Sequence, residues 1–272
     1  MQLDPEQHRM AAIVLAGDRT KADKLIDHSP AGCKALIDIE GEPMVARVLR
    51  ALRNSKVVGS ITMAGPEADE LATDSALSSL IDSGDVIWRS PDNSPSTSAY
   101  KAMQAVPADV PILLTTADHP LLTPEMVDAF GRQSLADDVD VTVGLAPHAL
   151  VSEAYPGIKK TVLRFSDGEF CGCNLFAFLT PEGRRAASFW RKIEQERKKP
   201  LLVIGLLGWW AVIRYRLGVL PLEEALAKLS KRLGLRMRAV ILPYANAAID
   251  VDSISDLVLV KGSLEKAAAR DA

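Results

Sequence analysis

Apolar runs of strand length alternate along the chain with longer segments in which apolar residues recur every three or four positions. The short runs are typical of strands buried in a sheet, and the longer periodicity is typical of helices packed against one. The predicted strands are residues 12–15, 36–39, 59–64, 85–88, 112–116, 139–144 and 236–242, with a hairpin at 160–165 and 169–178.

The helical periodicity falls between these strands, at residues 44–54, 67–79, 96–106, 124–134, 181–198, 222–233 and 254–269. This alternation predicts an α/β fold of three layers, a mostly parallel sheet with helices on both faces. The chain shows no internal repeat or low-complexity linker. We therefore expect one domain over residues 1–272, with a helical insertion at residues 181–235.

The net charge of the chain limits the kinds of binding partner, and its cysteine content indicates the cellular compartment. A formal net charge of -3 and a pI near 5.9 give no basic footprint for nucleic acid, but leave small anionic ligands open. The three cysteines do not have the spacing of a zinc site, and the first residues lack the apolar core of a signal peptide. We expect a cytoplasmic protein in a reducing compartment.

The loop after the first predicted strand has the features of a phosphate-binding loop. Ala16 and Gly17 carry little side-chain bulk, so the backbone can come close to a ligand there. Backbone N–H groups in such a turn form an anion-binding concavity. Four cations add positive charge, namely Arg19, Lys21, Lys24 and Lys34. The alternative is an ordinary turn with solvated lysines.

Three aspartates follow predicted strands and are candidate metal ligands. Asp118 ends an apolar strand, at the sheet edge where ligands of open α/β sheets bind. Asp250 and Asp252 share one face of an extended segment, and a cation would relieve their repulsion. Carboxylates suit a hard ion such as Mg²⁺. Capping of a following turn or helix is the alternative for Asp118 and for Asp252.

Four short motifs occur in a specific order along the chain. They are Leu15-Ala16-Gly17 with Arg19 and Cys33-Lys34, then Gly41-Glu42-Pro43 leading into a helix, then Asp118-His119-Pro120-Leu121-Leu122, and finally Asp250-Val251-Asp252. Together they resemble the nucleotidyltransferases of the molybdenum-cofactor guanylyltransferase type, which have a Rossmann-like, GT-A-like sheet. The chain departs from that pattern at Asp18, where the family has a second glycine, and in a longer insertion before Lys34.

The resemblance implies a role for each matching residue. Asp118 and Asp252 would hold Mg²⁺, with Asp250 a second candidate, and Lys34, Arg19 and Asp118 would be catalytic. The nucleotide would contact Leu15, Ala16, Gly17, Arg19, Lys24, Lys34, Ser98 and Asp118. Ser98 enters because residues 90–103 resemble the base-contacting loop of cytidylyltransferases of the isoprenoid-precursor type. An N-cap cluster of serines is the alternative there, and CTP is favoured over GTP.

The acceptor is expected beside the predicted hairpin. Lys159, Lys160 and Arg164 could pair with its phosphate or carboxylate, and Asn174 matches a family position near the acceptor. We expect a small phosphorylated acceptor, such as a phosphoglycerate-like acid or a lipid head-group precursor. A solvated hairpin is the alternative.

An uncharged run at residues 201–213 lies outside the family pattern and is too short to span a bilayer. Basic flanks around Trp209 and Trp210 suit peripheral contact with a membrane interface or a lipid-like acceptor. A buried helix, a homodimer contact and a lid over the acceptor are the alternatives.

The predicted function is Mg²⁺-dependent transfer of a nucleoside monophosphate, CMP rather than GMP, from an NTP to the acceptor, with release of pyrophosphate. Two alternatives stay open, a guanylyltransferase of the molybdenum-cofactor type and a non-catalytic nucleotide-binding or membrane-adaptor protein on the same fold. The four histidines and three cysteines show no arrangement typical of a Ser-His-Asp or Cys-His hydrolase.

Overall fold

The computed structural model describes residues 9–18, 25–29, 31–187 and 209–271. Eight strands form one mixed sheet, and two very short strands form a separate hairpin. The strands are β1 (Met10–Leu15), β2 (Asp38–Ile39), β3 (Glu42–Pro43), β4 (Val58–Ala64), β5 (Ile87–Arg89), β6 (Ile112–Thr116), β7 (Val141–Pro147), β8 (Val162–Phe165), β9 (Gly168–Phe178) and β10 (Met237–Ile241).

The helices connect these strands and cover both faces of the sheet. They are α1 (Met44–Arg53), α2 (Ala68–Leu71), α3 (Ser75–Asp82), α4 (Pro95–Gln104), α5 (Pro124–Ala136), α6 (His148–Ala154), α7 (Trp209–Arg216), α8 (Leu222–Leu233) and α9 (Ile254–Asp271). None of the described helices is long and apolar enough to cross a membrane.

The large sheet has the strand order β10-β7-β9-β6-β1-β4-β5, with β8 paired to β9. Strands β5, β4, β1 and β6 are parallel neighbours, as are β10 and β7. Strand β9 runs antiparallel to both β6 and β7 and joins the two parallel groups. The carboxyl ends of β1, β4 and β6 therefore lie side by side, which places their following loops at one edge.

Alternating side chains of β1 show how the three layers are built. Met10, Ala12 and Val14 belong to the larger apolar core, which α1 and α5 cover, whereas Ile13 and Leu15 belong to a second core, which α4 covers. All six residues of the strand are buried. A strand buried on both faces carries a continuous apolar run, because each face receives every second side chain. The predicted three-layer α/β fold is confirmed.

Most element predictions are confirmed to within a few residues, but two are wrong in detail. The predicted helix at residues 67–79 is two helices, because Asp74 accepts a hydrogen bond from the Leu77 N–H and starts α3. The predicted strand at 36–39 is a short 3-10 turn, Lys34–Leu36, followed by the two-residue strand β2. Helix α6 was not predicted.

The predicted helical insertion at residues 181–235 lies partly outside the described residues, which resume at α7. Helix α7 packs on the hairpin of β8 and β9, where the Tyr215 ring meets the Phe165 ring edge-on, with centroids 5.5 Å apart. Arg214 pairs with Glu224 of α8. Trp210 is 76% exposed, in the part of the predicted membrane-contact run 201–213 that the structure describes.

Gly65, which follows β4, allows the backbone of two loops to come close together. Its φ is +90°, and a Cβ at this position would lie 2.6 Å from the Gly17 backbone nitrogen. We expect Gly65→Ala to lower the free energy of unfolding by about 2–4 kcal/mol, because it adds left-handed strain to a backbone clash. Urea denaturation measures this change. Gly84→Ala is the matched control, since Gly84 has a φ of +79° but open space around it. Equal decreases in the free energy of unfolding of the two variants would show that the close approach of Gly65 to Gly17 does not contribute to the effect.

Candidate functional site

A cleft of about 440 Å³ opens at the carboxyl edge of β1, β4 and β6. Loops after these strands form its walls, together with residues that follow β5 and β10. Its lining includes Leu15, Ala16, Gly17, Asp18, Lys34, Asp92, Ser98, Thr116, Asp118, Asn174, Asp250 and Asp252. A cavity of this size is typical of small-molecule sites. The structure thus brings all three predicted sequence segments to one place.

Lys34 lies at the centre of the charged part of the cleft. Its Nζ is 3.0 Å from Oδ2 of Asp118 and 3.0 Å from Oδ1 of Asp252. The other Asp118 oxygen, Oδ1, accepts a hydrogen bond of 2.5 Å from the Thr116 hydroxyl. The Lys34 backbone N–H donates to the carboxylate of Asp18. One ammonium therefore joins two carboxylates from distant parts of the chain.

Burial and charge pairing act in opposite directions on these groups. Burial disfavours the Lys34 ammonium, but the carboxylates of Asp118 and Asp252 outweigh it and raise the pKa of Lys34. Burial likewise disfavours the Asp118 carboxylate, but Lys34 and the Thr116 hydroxyl lower its pKa below the usual value. Both groups are therefore charged at neutral pH, and each stabilises the charged form of the other.

Backbone contacts bring Asp252 beside Asp118. The Val251 N–H donates to the Asp118 carbonyl over 2.9 Å, so the chain after β10 lies along the loop after β6. Ser253, rather than Asp252, caps α9, since its hydroxyl accepts from the Asp256 N–H. Thr123 caps α5. Asp252 therefore does not cap α9 and Asp118 does not cap α5, and both carboxylates contact Lys34.

Asp250 does not contact Lys34 as Asp118 and Asp252 do, but belongs to a neighbouring group of side chains. Its carboxylate forms an ion pair with Lys160 and accepts a 3.0 Å hydrogen bond from the Asn174 side-chain amide. Asn174 has a φ of +49°, at an irregularity in the pairing of β7 with β9. Such a bulge redirects a side chain out of the regular alternation of a strand. Lys160 and Asn174 therefore both contact Asp250, which lines the cleft, and their role in acceptor binding stays a prediction.

Ser98 lines the cleft but has a structural hydrogen bond. Its hydroxyl accepts from the Asp92 N–H over 2.8 Å, which fixes the loop before α4. Ser94 is the N-cap of α4, since its side chain accepts from the Thr97 N–H. The N-cap alternative is therefore correct for Ser94, whereas Ser98 holds the backbone of the predicted base-contacting loop.

The other predicted site residues are placed differently. Arg19 and Lys24 lie outside the described residues. Arg164 pairs with Glu169 across the hairpin and its side chain is 67% exposed, away from the cleft lining. Lys159 is exposed, and it is likewise absent from that lining. Thr116, the last residue of β6, was not predicted, although it lies only two residues before Asp118 and its hydroxyl donates to that carboxylate.

A divalent metal ion in this cleft would need carboxylate ligands. Within the described part of the chain, no three His, Cys, Asp or Glu side chains converge in a way that could hold a metal ion. Asp118 and Asp252 do converge on one cation, the Lys34 ammonium. Two carboxylates suit Mg²⁺, which is commonly held by one or two carboxylates together with substrate phosphates. The donor set therefore fits the predicted ion, with Asp250 turned towards Lys160.

Among the residues that the structure describes, the buried His119, Cys33 and Cys173 are poor nucleophiles. His119 is fully buried, and burial lowers its pKa to about 4, so its imidazole is neutral at neutral pH. Burial raises the pKa of Cys33 and Cys173 to about 12, which keeps both thiols protonated. The chemistry of the cleft is that of carboxylates, an ammonium and backbone N–H groups.

Residues 12–159 match the family model of the MobA-like NTP transferase domain. A 3-deoxy-manno-octulosonate cytidylyltransferase from Chlorobium luteolum is 27% identical over 260 residues, which cover 89% of this chain and 95% of the relative. A 2-C-methyl-D-erythritol 4-phosphate cytidylyltransferase from Frankia casuarinae is 35% identical over 122 residues, which cover 44% of this chain and 42% of that relative.

Solved structures agree with this fold. A hypothetical transferase from Thermus thermophilus superposes with a TM-score of 0.76 at 28% identity, covering 92% of this chain and 99% of the other. A CMP:2-keto-3-deoxy-manno-octonic acid synthetase complexed with CTP shares the fold at a TM-score of 0.58 and 15% identity, covering 94% of this chain and 99% of the other. The family model spans more than half of the chain and includes the loop after β1, Lys34 and Asp118. The chain therefore belongs to the MobA-like NTP transferase family and is a nucleotidyltransferase.

Proposed function

We propose that this enzyme transfers the cytidylyl group of CTP to an oxygen atom of a small acceptor and releases pyrophosphate. The observation that carries the proposal is the convergence of Lys34, Asp118 and Asp252 in the cleft at the carboxyl edge of the sheet. The preference for CTP rests on the two cytidylyltransferase relatives, one of which aligns over nearly its whole length.

The nucleotide would lie along the loop after β1. Gly17 allows this loop to approach the segment before α4, because a Cβ on Gly17 would lie 2.8 Å from the Pro91 Cβ. The base would then meet the Asp92 to Ser98 loop, whose shape the Ser98 hydroxyl maintains. Ser98 thus supports base recognition through the backbone. Arg19 and Lys24 are proposed phosphate contacts on sequence grounds.

Asp118 and Asp252 would hold Mg²⁺, and Asp250 is assigned instead to the acceptor side. When bound, the ion would neutralise phosphate charge and orient the triphosphate. Lys34 would supply a second positive charge to the phosphates, since it is the cation nearest to both carboxylates. Thr116 would keep Asp118 oriented through its hydroxyl.

The reaction needs no covalent enzyme intermediate. An acceptor oxygen attacks the α-phosphorus in line, the bond from that phosphorus to the bridging oxygen breaks, and pyrophosphate leaves with the electron pair. The chain contributes positioning and charge neutralisation, which account for most of the catalysis of such transfers. The protonated thiols of Cys33 and Cys173 agree with this assignment.

The acceptor is proposed to bind beside Asp250, Lys160 and Asn174. These side chains form a hydrogen-bonded group next to the Lys34 pair. They offer donors and acceptors for the hydroxyl and anionic groups of a sugar acid or a polyol phosphate. The compounds in the names of the two relatives, 3-deoxy-manno-octulosonate and 2-C-methyl-D-erythritol 4-phosphate, are the first acceptors to test. A phosphoglycerate-like acid and a lipid head-group precursor follow.

A thermal-shift panel with Mg²⁺ and each of the four NTPs tests nucleotide choice. A ligand that binds only the native state stabilises it by mass action. We expect CTP at saturating concentration to raise Tm by about 5 °C or more, and the other NTPs to raise it less. CTP with a chelator is the control and should give a smaller shift. A larger shift with GTP would favour guanylyl transfer, and no shift with any NTP would refute the proposed function.

A further inference from the structure

Lys34 lies where a cation bridging Asp118 and Asp252 would be expected. Its Nζ is 3.0 Å from an oxygen of each, and its side chain is only 17% exposed. Asp252 is 68% exposed, and its contact with Lys34 joins it to the more buried Asp118. Lys34 thus acts as an internal cation between two carboxylates.

The single positive charge of Lys34 neutralises only half of the negative charge of Asp118 and Asp252. Two carboxylates share one ammonium, whereas Asp92 pairs with Lys101 and Asp250 pairs with Lys160. A divalent cation would neutralise Asp118 and Asp252 fully, but it cannot occupy the same position as the Lys34 ammonium. Once Lys34 leaves, it needs another anion nearby, since a partly buried charge without a partner is costly.

The Lys34 side chain can leave without moving its loop. The carboxylate of Asp18 accepts from the Lys34 N–H at 3.2 Å with each oxygen, which holds the backbone. A short 3-10 turn begins at this residue, and the following Ala35 and Leu36 are buried. Lysine carries its charge on a flexible four-carbon stem. The exchange therefore requires rotation of one side chain.

We propose that Lys34 competes with the divalent metal for Asp118 and Asp252 in the free enzyme, and that the nucleotide triphosphate relieves this competition by drawing Lys34 onto its phosphates. The inference rests on the proposed function, because it assigns the metal to these two carboxylates. Metal alone then binds weakly, and metal and nucleotide bind with positive coupling. The cleft selects the metal–nucleotide complex over either component.

Mn²⁺ titration followed by electron paramagnetic resonance tests the competition without any turnover. In the absence of nucleotide, we expect Lys34→Met to bind Mn²⁺ at least about tenfold more tightly than the wild type, because a charge near both ligands is removed. Lys101→Met is the matched control, since it removes the same charge from Asp92, another acid of the cleft lining, rather than from Asp118 or Asp252. It should change Mn²⁺ affinity less than about threefold. Equal affinity of wild type and Lys34→Met would overturn the proposal.

A second arm measures the coupling with a non-reacting nucleotide. In the wild type, Mn²⁺ should bind the complex of the enzyme with the α,β-methylene analogue of CTP more tightly than it binds the analogue alone. In Lys34→Met this gain in Mn²⁺ affinity should shrink. Adding Asp252→Asn to Lys34→Met should abolish the tight site. A tight site that survives this change would place the metal elsewhere and overturn the proposal.

The Mn²⁺ measurements can be interpreted independently of misfolding of one variant and of catalytic activity. Lys34→Gln retains a hydrogen-bond donor without the charge, and it replaces the methionine variant if that variant does not fold. Failure of the competition leaves the proposed cytidylyl transfer standing. Conversely, an enzyme that turns over no CTP can still show the Lys34-dependent change in Mn²⁺ affinity.

Discussion

Asp118→Asn is expected to lower kcat by at least about 10³-fold, because it removes the charge that pairs with Lys34 and that would hold the proposed metal. The asparagine has nearly the same shape and can still accept from the Thr116 hydroxyl, so the loop should keep its conformation. Pyrophosphate release under saturating CTP and acceptor measures the loss.

Asp85→Asn is the control for this variant. It removes one carboxylate that pairs with Arg53 on the surface, where both side chains are more than 40% exposed. Such pairs contribute little, so activity should stay within about twofold of the wild type. Full activity in Asp118→Asn would show that the metal and Lys34 assignments are both wrong.

Lys34→Met is expected to lower kcat/KM for CTP by about 10² to 10³-fold, because a positive charge next to the triphosphate is lost. The loss should persist when Mg²⁺ is saturating, although this variant is expected to bind metal more tightly. Steady-state kinetics at several Mg²⁺ concentrations measure both effects in one experiment.

Lys101→Met provides a matched comparison. Lys101 pairs with Asp92, which also lines the cleft, and the Lys101 side chain is 62% exposed. Its removal should leave kcat/KM within about threefold of the wild type. Equal losses of kcat/KM in the two lysine variants would show that the effect of Lys34 comes from the overall charge of the cleft and not from its position between Asp118 and Asp252.

The sheet could be predicted from sequence because its strands are buried on both faces. Continuous apolar runs mark β1 and β6, and both are found within two residues of their predicted bounds. Helix α6 has only seven residues and a single buried side chain, Val151, so it leaves almost no periodic pattern. Short elements held by their surroundings cannot be recognised from local pattern alone.

Several residues that line the cleft were predicted from the sequence, but Thr116 was not, and neither was the pairing of the charged side chains. Asp118 and Lys34 were identified from their positions after strands and from a family resemblance. Asp250 and Asp252 were predicted to act as one pair, because the alternation of side chains along a strand places them on the same face. In the structure they are separated by their partners, since Lys160 and Asn174 hold Asp250 while Lys34 holds Asp252.

Asn174 shows what kind of information the sequence lacks. Its side chain faces Asp250 because the pairing of β7 with β9 is irregular at that point, where Val143 lies opposite Phe176 but Leu145 lies opposite Gly172. A bulge depends on which strands become neighbours. Only the assembled sheet determines that choice.

The contact of Lys34 with Asp252 joins residues 218 positions apart in the chain. During synthesis, the β1 and β6 region is complete long before Asp252 is made, and domains acquire structure as the chain emerges. A nascent chain that ends before β10 would hold the nucleotide loop and Asp118 but lack the second carboxylate. With the role proposed for Asp252, catalytic competence would be a late event in biosynthesis, and proteolysis just after β10 would remove it while leaving most of the sheet in place.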